Sequence, residues 1–295
     1  METSIPTLSI LIVNYNGKEV ITNCLASIRD NLTISHEVIV IDNLSTDGSP
    51  ALIQNNFPDV HLVENNENTG FARANNQAAK LATGKYLLLL NNDTILLDDI
   101  KPMIDYFEKN PTVGAIGIKM LGKDMEYRKS AGHFPEPLRL IKISSIYKNN
   151  QYFNTGNFPQ STDNYSVDWV EGSFLSTPRE LWGQLRGLDE GYFMYVEDID
   201  YCKKVQVAGL QTRFYPALRY QHLGGYNQGR FDLIVKGFRR FHQNFSGYGT
   251  RLLANTILTI GLWLRLALSS ILYLITRKKH HLERRNVCLK ALRSR

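Results

Sequence analysis

The chain has 295 residues, 43% of them hydrophobic and 21% charged, with 21 Gly and 10 Pro; this excludes long disorder, collagen-like repeats and a polytopic membrane protein, and suits one large α/β domain with an appendage or two modest domains. Three cysteines, Cys24, Cys202 and Cys288, lack CxxC spacing, which excludes a disulfide framework or cysteine zinc site and fits a reducing compartment. The net charge of +6 is uneven: from Lys236 onward thirteen Lys/Arg face one acid, Glu283, a net +12 that leaves −6 for residues 1–235.

The opening METSIPTLSI carries no basic segment ahead of its apolar run, so no secretory signal is expected. Short apolar runs follow at 8–13 (LSILIV), 38–41 (VIVI), 60–63 (VHLV) and 86–90 (YLLLL), as buried parallel strands read. Between the first two, Val20, Ile21, Cys24, Leu25, Ile28 and Leu32 recur at helical spacing, and Phe71, Ala74, Ala78 and Leu81 do so before the fourth. The rhythm is βαβαβ. Such units leave their ligand crevice at the carboxyl ends of the strands, and here those ends are polar: Asn14, Tyr15, Asn16 and Gly17, then Asp42 and Asn43, then Glu64, Asn65 and Asn66, then Asn91, Asn92 and Asp93. Turn and cap chemistry accounts for some of these residues. It does not account for four loaded strand ends.

Beyond Pro111 a further strand is expected over 113–120, an irregular excursion over 121–166, an apolar alternation over 169–176, and a second core element ending near Tyr215. Neither GxGxxG after a strand nor GxxxxGK[ST] occurs, and there is no HExxH or nucleophile elbow. What remains is acidic. Asp93, directly after an aliphatic run, puts a carboxylate at a strand mouth, where a Mg²⁺ or Mn²⁺ ion shared with a diphosphate needs only one or two protein carboxylates. The run 187–202, GLDEGYFMYVEDIDYC, sets Glu197, Asp198 and Asp200 after an aromatic stretch. If it opens a helix, Asp198 lies near the positive end of the dipole.

Six segments taken in order, VNYNG at 13–17, VIDNLSTDGS at 40–49, ENTGFARANN at 67–76, LLLLNND at 87–93, WVEG at 169–172 and GLDEGYFMYVEDIDYC, resemble glycosyltransferase family 2, especially its rhamnosyltransferase-like branch. The resemblance spans residues 8 to about 225. It implies a GT-A fold, a Rossmann-like mixed sheet flanked by helices, and inverting transfer from a nucleotide-activated sugar, dTDP- or UDP-linked, to a glycan or lipid-linked glycan precursor. By position, Tyr15, Asn16, Asp42, Asn43, Asn91 and Asn92 would border the nucleotide sugar. Asp93 and His222 would hold a divalent cation, and Asp198 would be the general base. Asn91 stands where the family has the first acid of its DXD-type motif, which lowers the charge offered to a metal and motivates the alternative of a catalytically silent nucleotide-sugar-binding protein. A nucleotidyltransferase would want a Gly-rich basic loop after the first strand, which Lys18 alone does not supply. Trp169 and Glu171 would line the acceptor pocket, and Glu197 should point away from Asp198.

The tail is the last element. Residues 252–275 include 17 apolar positions, and Asn255, Thr256, Thr259, Arg265, Ser269 and Ser270 fall within half of a helical wheel. A central Arg265 opposes insertion by about 2.5–3.5 kcal/mol. An amphipathic helix lying in the interface is therefore expected ahead of a spanning or a core helix. Trp263 and Tyr273 would supply its amphipathic rings, with Arg277, Lys278, Lys279, Arg284 and Arg285 on anionic head groups. The division expected is 1–110 for the nucleotide-sugar half, 111–235 for the acceptor half, and 236–295 for a tail held peripherally at the cytoplasmic face of a membrane. No nucleic-acid partner is expected.

Overall fold

The long aliphatic runs become strands because both faces of the sheet they build are covered. Leu8, Ile10, Leu11 and Ile12, and likewise Leu87, Leu88 and Leu89, are buried without remainder. The computed structural model describes residues 5–159, 164–224 and 230–293, which divide into two units.

The first unit holds residues 5–133, 147–190 and 197–224. Its opening half alternates β1 (Leu8–Asn14), α1 (Ile21–Asn31), β2 (His36–Asp42), α2 (Ser49–Asn56), β3 (His61–Glu64), α3 (Gly70–Leu81) and β4 (Tyr86–Asn91). Helix α1 forms where Ile21, Cys24, Leu25 and Ile28 bury one face. Proline at the first turn of α2 costs no hydrogen bond there. After these come β5 (Thr94–Leu96), α4 (Lys101–Lys109), β6 (Val113–Leu121), β7 (Tyr127–Arg128), β8 (Ala131–Gly132), α5 (Gln151–Thr155), β9 (Tyr165–Val167), β10 (Trp169–Val170), β11 (Phe174–Pro178), α6 (Arg179–Gln184), α7 (Glu197–Val207) and β12 (Gln211–His222). The main sheet runs β3-β2-β1-β4-β11-β6-β12-β5. It is parallel from β3 to β4, after which β11 enters antiparallel between β4 and β6.

The strand expected to end near Tyr215 continues to His222, with its register against β6 shifting between Tyr215 and Arg219. Pro216 sits in that interval. Lacking an N–H, it interrupts the ladder without ending the strand.

The second unit comprises 134–146, 191–196 and 230–293. Helices α8 (Phe231–Phe245), α9 (Tyr248–Thr276) and α10 (Lys279–Arg293) pack through Val235, Leu262 and Ala291, and α8 runs across residue 235. Helix α9 turns Ala254, Leu258, Leu262, Leu266 and Ser269 inward. Two of its polar residues meet α8: Thr259 Oγ1 accepts from Arg239 Nη2 at 3.2 Å, and the Arg265 guanidinium, itself exposed, stands 4.7 Å from the Phe231 ring centre. Outward it shows Leu253, Ile260, Leu264, Leu268, Ile271 and Ile275, with Trp263 58% and Leu264 66% exposed. It is long and apolar enough to cross a membrane by length and composition.

Candidate active site

Parallel pairing sets the carboxyl ends of three strands side by side. Asn14 at the end of β1 faces Asp42 at the end of β2, and Val13 faces Asn91 at the end of β4. The strand order turns about β1 and β4, the topological switch where an open α/β sheet leaves its crevice. Fully buried Asn14 is the hub of that crevice. Its Nδ2 donates to Asp42 Oδ1 at 2.7 Å and Ser49 Oγ at 2.8 Å, while its Oδ1 accepts from Asn92 Nδ2 at 2.8 Å. A Cβ at Gly17 would strike Asn14 Oδ1 and Asn92 Nδ2, so this turn needs its glycine.

Asp42, 1% exposed, also accepts from Ser45 Oγ at 2.6 Å and Ser45 N at 2.8 Å. Three of the roughly four acceptor directions of its carboxylate are thus taken by the chain itself. Asn43 is equally committed, accepting from Asn65 Nδ2 and Thr69 Oγ1 and donating to the Gly70 carbonyl. Tyr15 and Asn16 remain exposed at the mouth, Asn16 at φ 52° with its Oδ1 accepting from Thr46 N at 2.9 Å.

A second cluster forms where β5 pairs antiparallel with the end of β12, placing Thr94 opposite His222. His222 Nε2 lies 3.1 Å from Asp93 Oδ1 and 3.5 Å from Asn91 Nδ2. Burial works against a charged imidazole. Contact with Asp93 and the charges of Asp93 and Glu171 outweigh it, holding the His222 pKa above its ordinary value. Asp93 Oδ1 is buried and makes no well-formed hydrogen bond beyond its 3.1 Å approach to His222 Nε2, so a carboxylate oxygen and an imidazole nitrogen lie side by side. Among the described residues no group of three or more His, Cys, Asp or Glu could hold a metal alone. The pair fits a hard or borderline divalent cation whose remaining ligands come from a diphosphate and water.

Asp198 lies in the first turn of α7, as the acidic run implied. Its Oδ2 accepts from Gly172 N and its Oδ1 from Ile199 N, both at 2.8 Å. Burial raises its pKa, against the downward pull of these hydrogen bonds. Glu197 is buried, with Oε2 unpartnered, and burial together with the neighbouring Asp198 charge pushes its pKa well up. Glu171, next to Gly172, is pushed to about 7, first by burial and then, against the lowering influence of His222, by Asp198 and Asp93.

Trp169 departs from expectation. It is 3% exposed, its Nε1 donates to the His133 carbonyl at 2.9 Å, and Tyr147 packs edge-on against its ring at 5.4 Å. Its ring is committed to packing, so the indole supports β10 and offers no open face to a sugar. The Asn14 hub and the Gly172 N–H went unassigned in the sequence. Asn14 ends the LSILIV run like the other strand-end residues, and Gly172 closes the WVEG segment, but the sequence gives neither its hydrogen-bonding role.

A parallel Rossmann-like half with a polar crevice, continued by mixed strands that carry acids and a histidine to the same sheet, defines a GT-A-fold glycosyltransferase. The chain belongs to glycosyl transferase family 2, whose model matches residues 9–171. It is 27% identical over 241 residues to the N-acetylglucosaminyl-diphospho-decaprenol L-rhamnosyltransferase of Mycobacterium tuberculosis, covering 76% of this chain and 78% of that one. It is 29% identical over 181 residues to rhamnosyltransferase WbbL of Escherichia coli K12, covering 58% of this chain and 66% of WbbL. Among solved structures, GalNAc-T7 with UDP, GalNAc and Mn²⁺ matches at TM-score 0.61 and 18% identity, over 82% of this chain and 48% of that one. The mannosyltransferase PcManGT from Pyrobaculum calidifontis, in complex with GDP-Man and Mn²⁺, matches at 0.58 and 18% identity, over 99% of this chain and 86% of its own. These likenesses establish the fold.

Proposed function

We propose that this glycosyltransferase moves a sugar, L-rhamnose in the first instance, from a dTDP- or UDP-linked donor to a hydroxyl of a glycan or lipid-linked glycan precursor, with inversion at the anomeric carbon. The rhamnosyltransferase relatives support the sugar, and the decaprenol diphosphate in one relative's name supports a lipid-linked acceptor in cell-envelope polysaccharide synthesis. The observation that carries the reading is the Asp198 carboxylate, fixed by two backbone N–H groups in the unit that also brings Asp93 to His222.

Inversion needs one in-line displacement, and the attacking hydroxyl must lose its proton to a base within about 2.6–3.2 Å. Asp198 is that base. With Oδ1 and Oδ2 both anchored, the carboxylate keeps one orientation, and its raised pKa makes it a stronger proton acceptor than an ordinary aspartate. Asp93 and His222 would hold a Mg²⁺ or Mn²⁺ ion, which supplies positive charge to the departing diphosphate. Asn91 and Asn92 line the donor side with Tyr15 and Asn16. Asp42 and Asn43 hold the crevice floor, and Asp42 keeps one acceptor direction for a base or ribose hydroxyl. Glu171, able to carry a proton near neutrality, lines the acceptor side as a hydrogen-bond donor or acceptor.

The second unit is the membrane anchor in this reading. Helix α9 lies in the interface of the cytoplasmic leaflet with its outward apolar face down, and exposed Arg277, Lys278, Lys279 and Arg284 meet anionic head groups. The deciding experiment measures binding of the purified chain to UDP-, GDP- and dTDP-sugars with and without Mn²⁺ or Mg²⁺, then the anomeric configuration of the product by NMR. Cation-dependent binding of one class and an inverted product are expected. Absence of any such binding, or a retained configuration, sinks the proposal.

A further inference from the structure

Residues 134–146 lie between β8 and α5 in the chain, yet they fold with the helices of the second unit. Two contacts to α8 fix where the segment starts: the Phe134 ring stacks on Phe241 with centroids 6.0 Å apart, and His242 Nε2 lies 2.8 Å from the Pro135 carbonyl oxygen. A 3₁₀ helix, Pro137–Ile141, follows and packs against α9. Arg139 and Ser145 close the segment, Arg139 Nη1 donating to the Ser145 carbonyl at 3.2 Å and Ser145 Oγ to the Arg139 carbonyl at 2.9 Å.

In a 3₁₀ helix, side chains three positions apart eclipse one another. Pro137 and Leu140 therefore share one side, and Leu138 and Ile141 another. Leu140 is buried, whereas Leu138 is 71% and Ile141 68% exposed. A single exposed aliphatic residue needs no explanation; an eclipsed pair on a segment fixed at both ends is an apolar patch held open. It is held beside α9, which exposes Leu264, Leu268 and Ile271 of its own. Charge selects what covers it. Exposed Lys142 follows the pair directly, and the chain from Lys236 onward carries a net +12. A second copy of the chain would bring the same positive charge, whereas an anionic bilayer offers both hydrocarbon and negative head groups.

We propose that the 3₁₀ helix 137–141 is a second membrane-inserting element, with Leu138 and Ile141 entering the headgroup–acyl boundary of an anionic bilayer together with the exposed face of α9. This rests on the reading of α9 as an interfacial helix. A lone helix lying in the interface can roll about its own axis; a second apolar contact beside it fixes that roll and so sets one orientation of the unit on the bilayer. The pair contributes apolar burial, which salt does not screen, while Lys142 and the cations of the tail contribute the part that salt weakens.

The test measures partitioning of full-length protein onto vesicles of phosphatidylglycerol and phosphatidylcholine, for wild type and for Leu138→Asp, Ile141→Asp, Leu138→Trp, Leu264→Asp and Val207→Asp. Val207, on α7 of the first unit, is as exposed as Leu138 and is the control for replacing an exposed aliphatic residue by a charge. Leu138→Asp and Ile141→Asp should each lower the partition coefficient by about 10-fold or more. Leu138→Trp should partition at least as well as wild type, because an amphipathic ring suits that depth. A residue that only packs the segment would lose by both changes, so the opposite signs separate insertion from misfolding. Val207→Asp should behave as wild type. Leu138→Asp and Ile141→Asp that partition like wild type while Leu264→Asp stays in solution overturn this proposal and leave α9 as the anchor, whereas a wild-type chain without affinity for these vesicles removes both. Equal losses in Leu138→Trp and Leu138→Asp, an equal loss in Val207→Asp, or a wild-type dimer that Leu138→Asp disperses overturn it as well.

Discussion

Gly172 donates its backbone N–H to Asp198 Oδ2 across 2.8 Å, joining the turn ahead of β11 to the first turn of α7. The contact is close on the carbon side too, since a Cβ at Gly172 would lie 3.3 Å from Asp198 Cβ. Burial pushes this carboxyl above the ordinary Asp value of 3.8, and the Gly172 and Ile199 N–H groups stop the rise from going further. The result is a carboxylate whose orientation is fixed by the backbone.

Asp198→Asn keeps shape and size while removing the proton acceptor. Donor affinity should stay within a few-fold of wild type while kcat falls by about 10²-fold or more. In wild-type enzyme the active form is ionised, so kcat should fall as pH drops through a pKa above 3.8, and this acid limb should vanish from the residual rate of Asp198→Asn. A pH–rate profile of both proteins checks it. Turnover within a few-fold of wild type in the variant removes Asp198 from the role.

Asp93→Ala and His222→Ala each delete one of two groups meeting at 3.1 Å. Both should weaken the Mn²⁺-dependent part of nucleoside-diphosphate binding. The double variant should lose little more than either single one, because the two act on one ion. Calorimetric titration with UDP and dTDP, with and without EDTA, reads this out. Binding indifferent to EDTA in wild-type protein contradicts the role given to both residues.

Glu197 is buried beside Asp198 and its pKa stands well above the ordinary 4.5. The folded chain therefore keeps a proton that the unfolded chain releases. Stability from this residue is lost as pH rises from about 4.5 toward the folded value. Glu197→Gln, permanently neutral, should raise Tm by about 2 °C or more at pH 7–8 and match wild type near pH 4. A scan of Tm against pH that leaves the two proteins parallel refutes the assignment.

Much of this arrangement is legible in the sequence because it follows from period and topology. Aliphatic runs such as 8–13 and 86–90 must be buried on both faces, parallel strands must be joined by helices, and polar strand ends must then share one crevice. Other features depend on contacts between distant segments. Whether Trp169 faces a ligand or the core is set by where His133 and Tyr147 arrive. That Asp42 and Asn43 spend their polar atoms on Asn14, Ser45, Asn65 and Gly70 is set by strand register. The wheel of 252–275 gives two faces, but packing against α8 and α10 decides which residues turn inward: Leu258, Leu262 and Leu266 with Ser269, while Thr256 and Arg265 stay exposed.

The exposed apolar face of α9 yields the last prediction. Beyond the stripe that α9 buries, Leu264, Leu268, Ile271 and Ile275 face outward beside Trp263, a surface that suits the headgroup–acyl boundary of a bilayer. Removing α9 and α10 outright is a poor test, since it strips Val235 of Leu262 and Ala291. Leu264→Asp and Ile271→Asp instead place charge on the exposed face, at side chains 66% and 54% exposed, so Tm should hold within about 2 °C, as expected of surface substitutions. Wild-type protein should float with anionic vesicles and be partly released by salt, because each nearby Lys or Arg contributes about 1 kcal/mol that screening weakens. The variants should remain in solution and lose transfer to a lipid-linked acceptor while keeping transfer to a short soluble one. Flotation that resists both salt and alkaline carbonate indicates a spanning helix, and wild-type protein that ignores anionic vesicles leaves the outward face to a second copy of the chain.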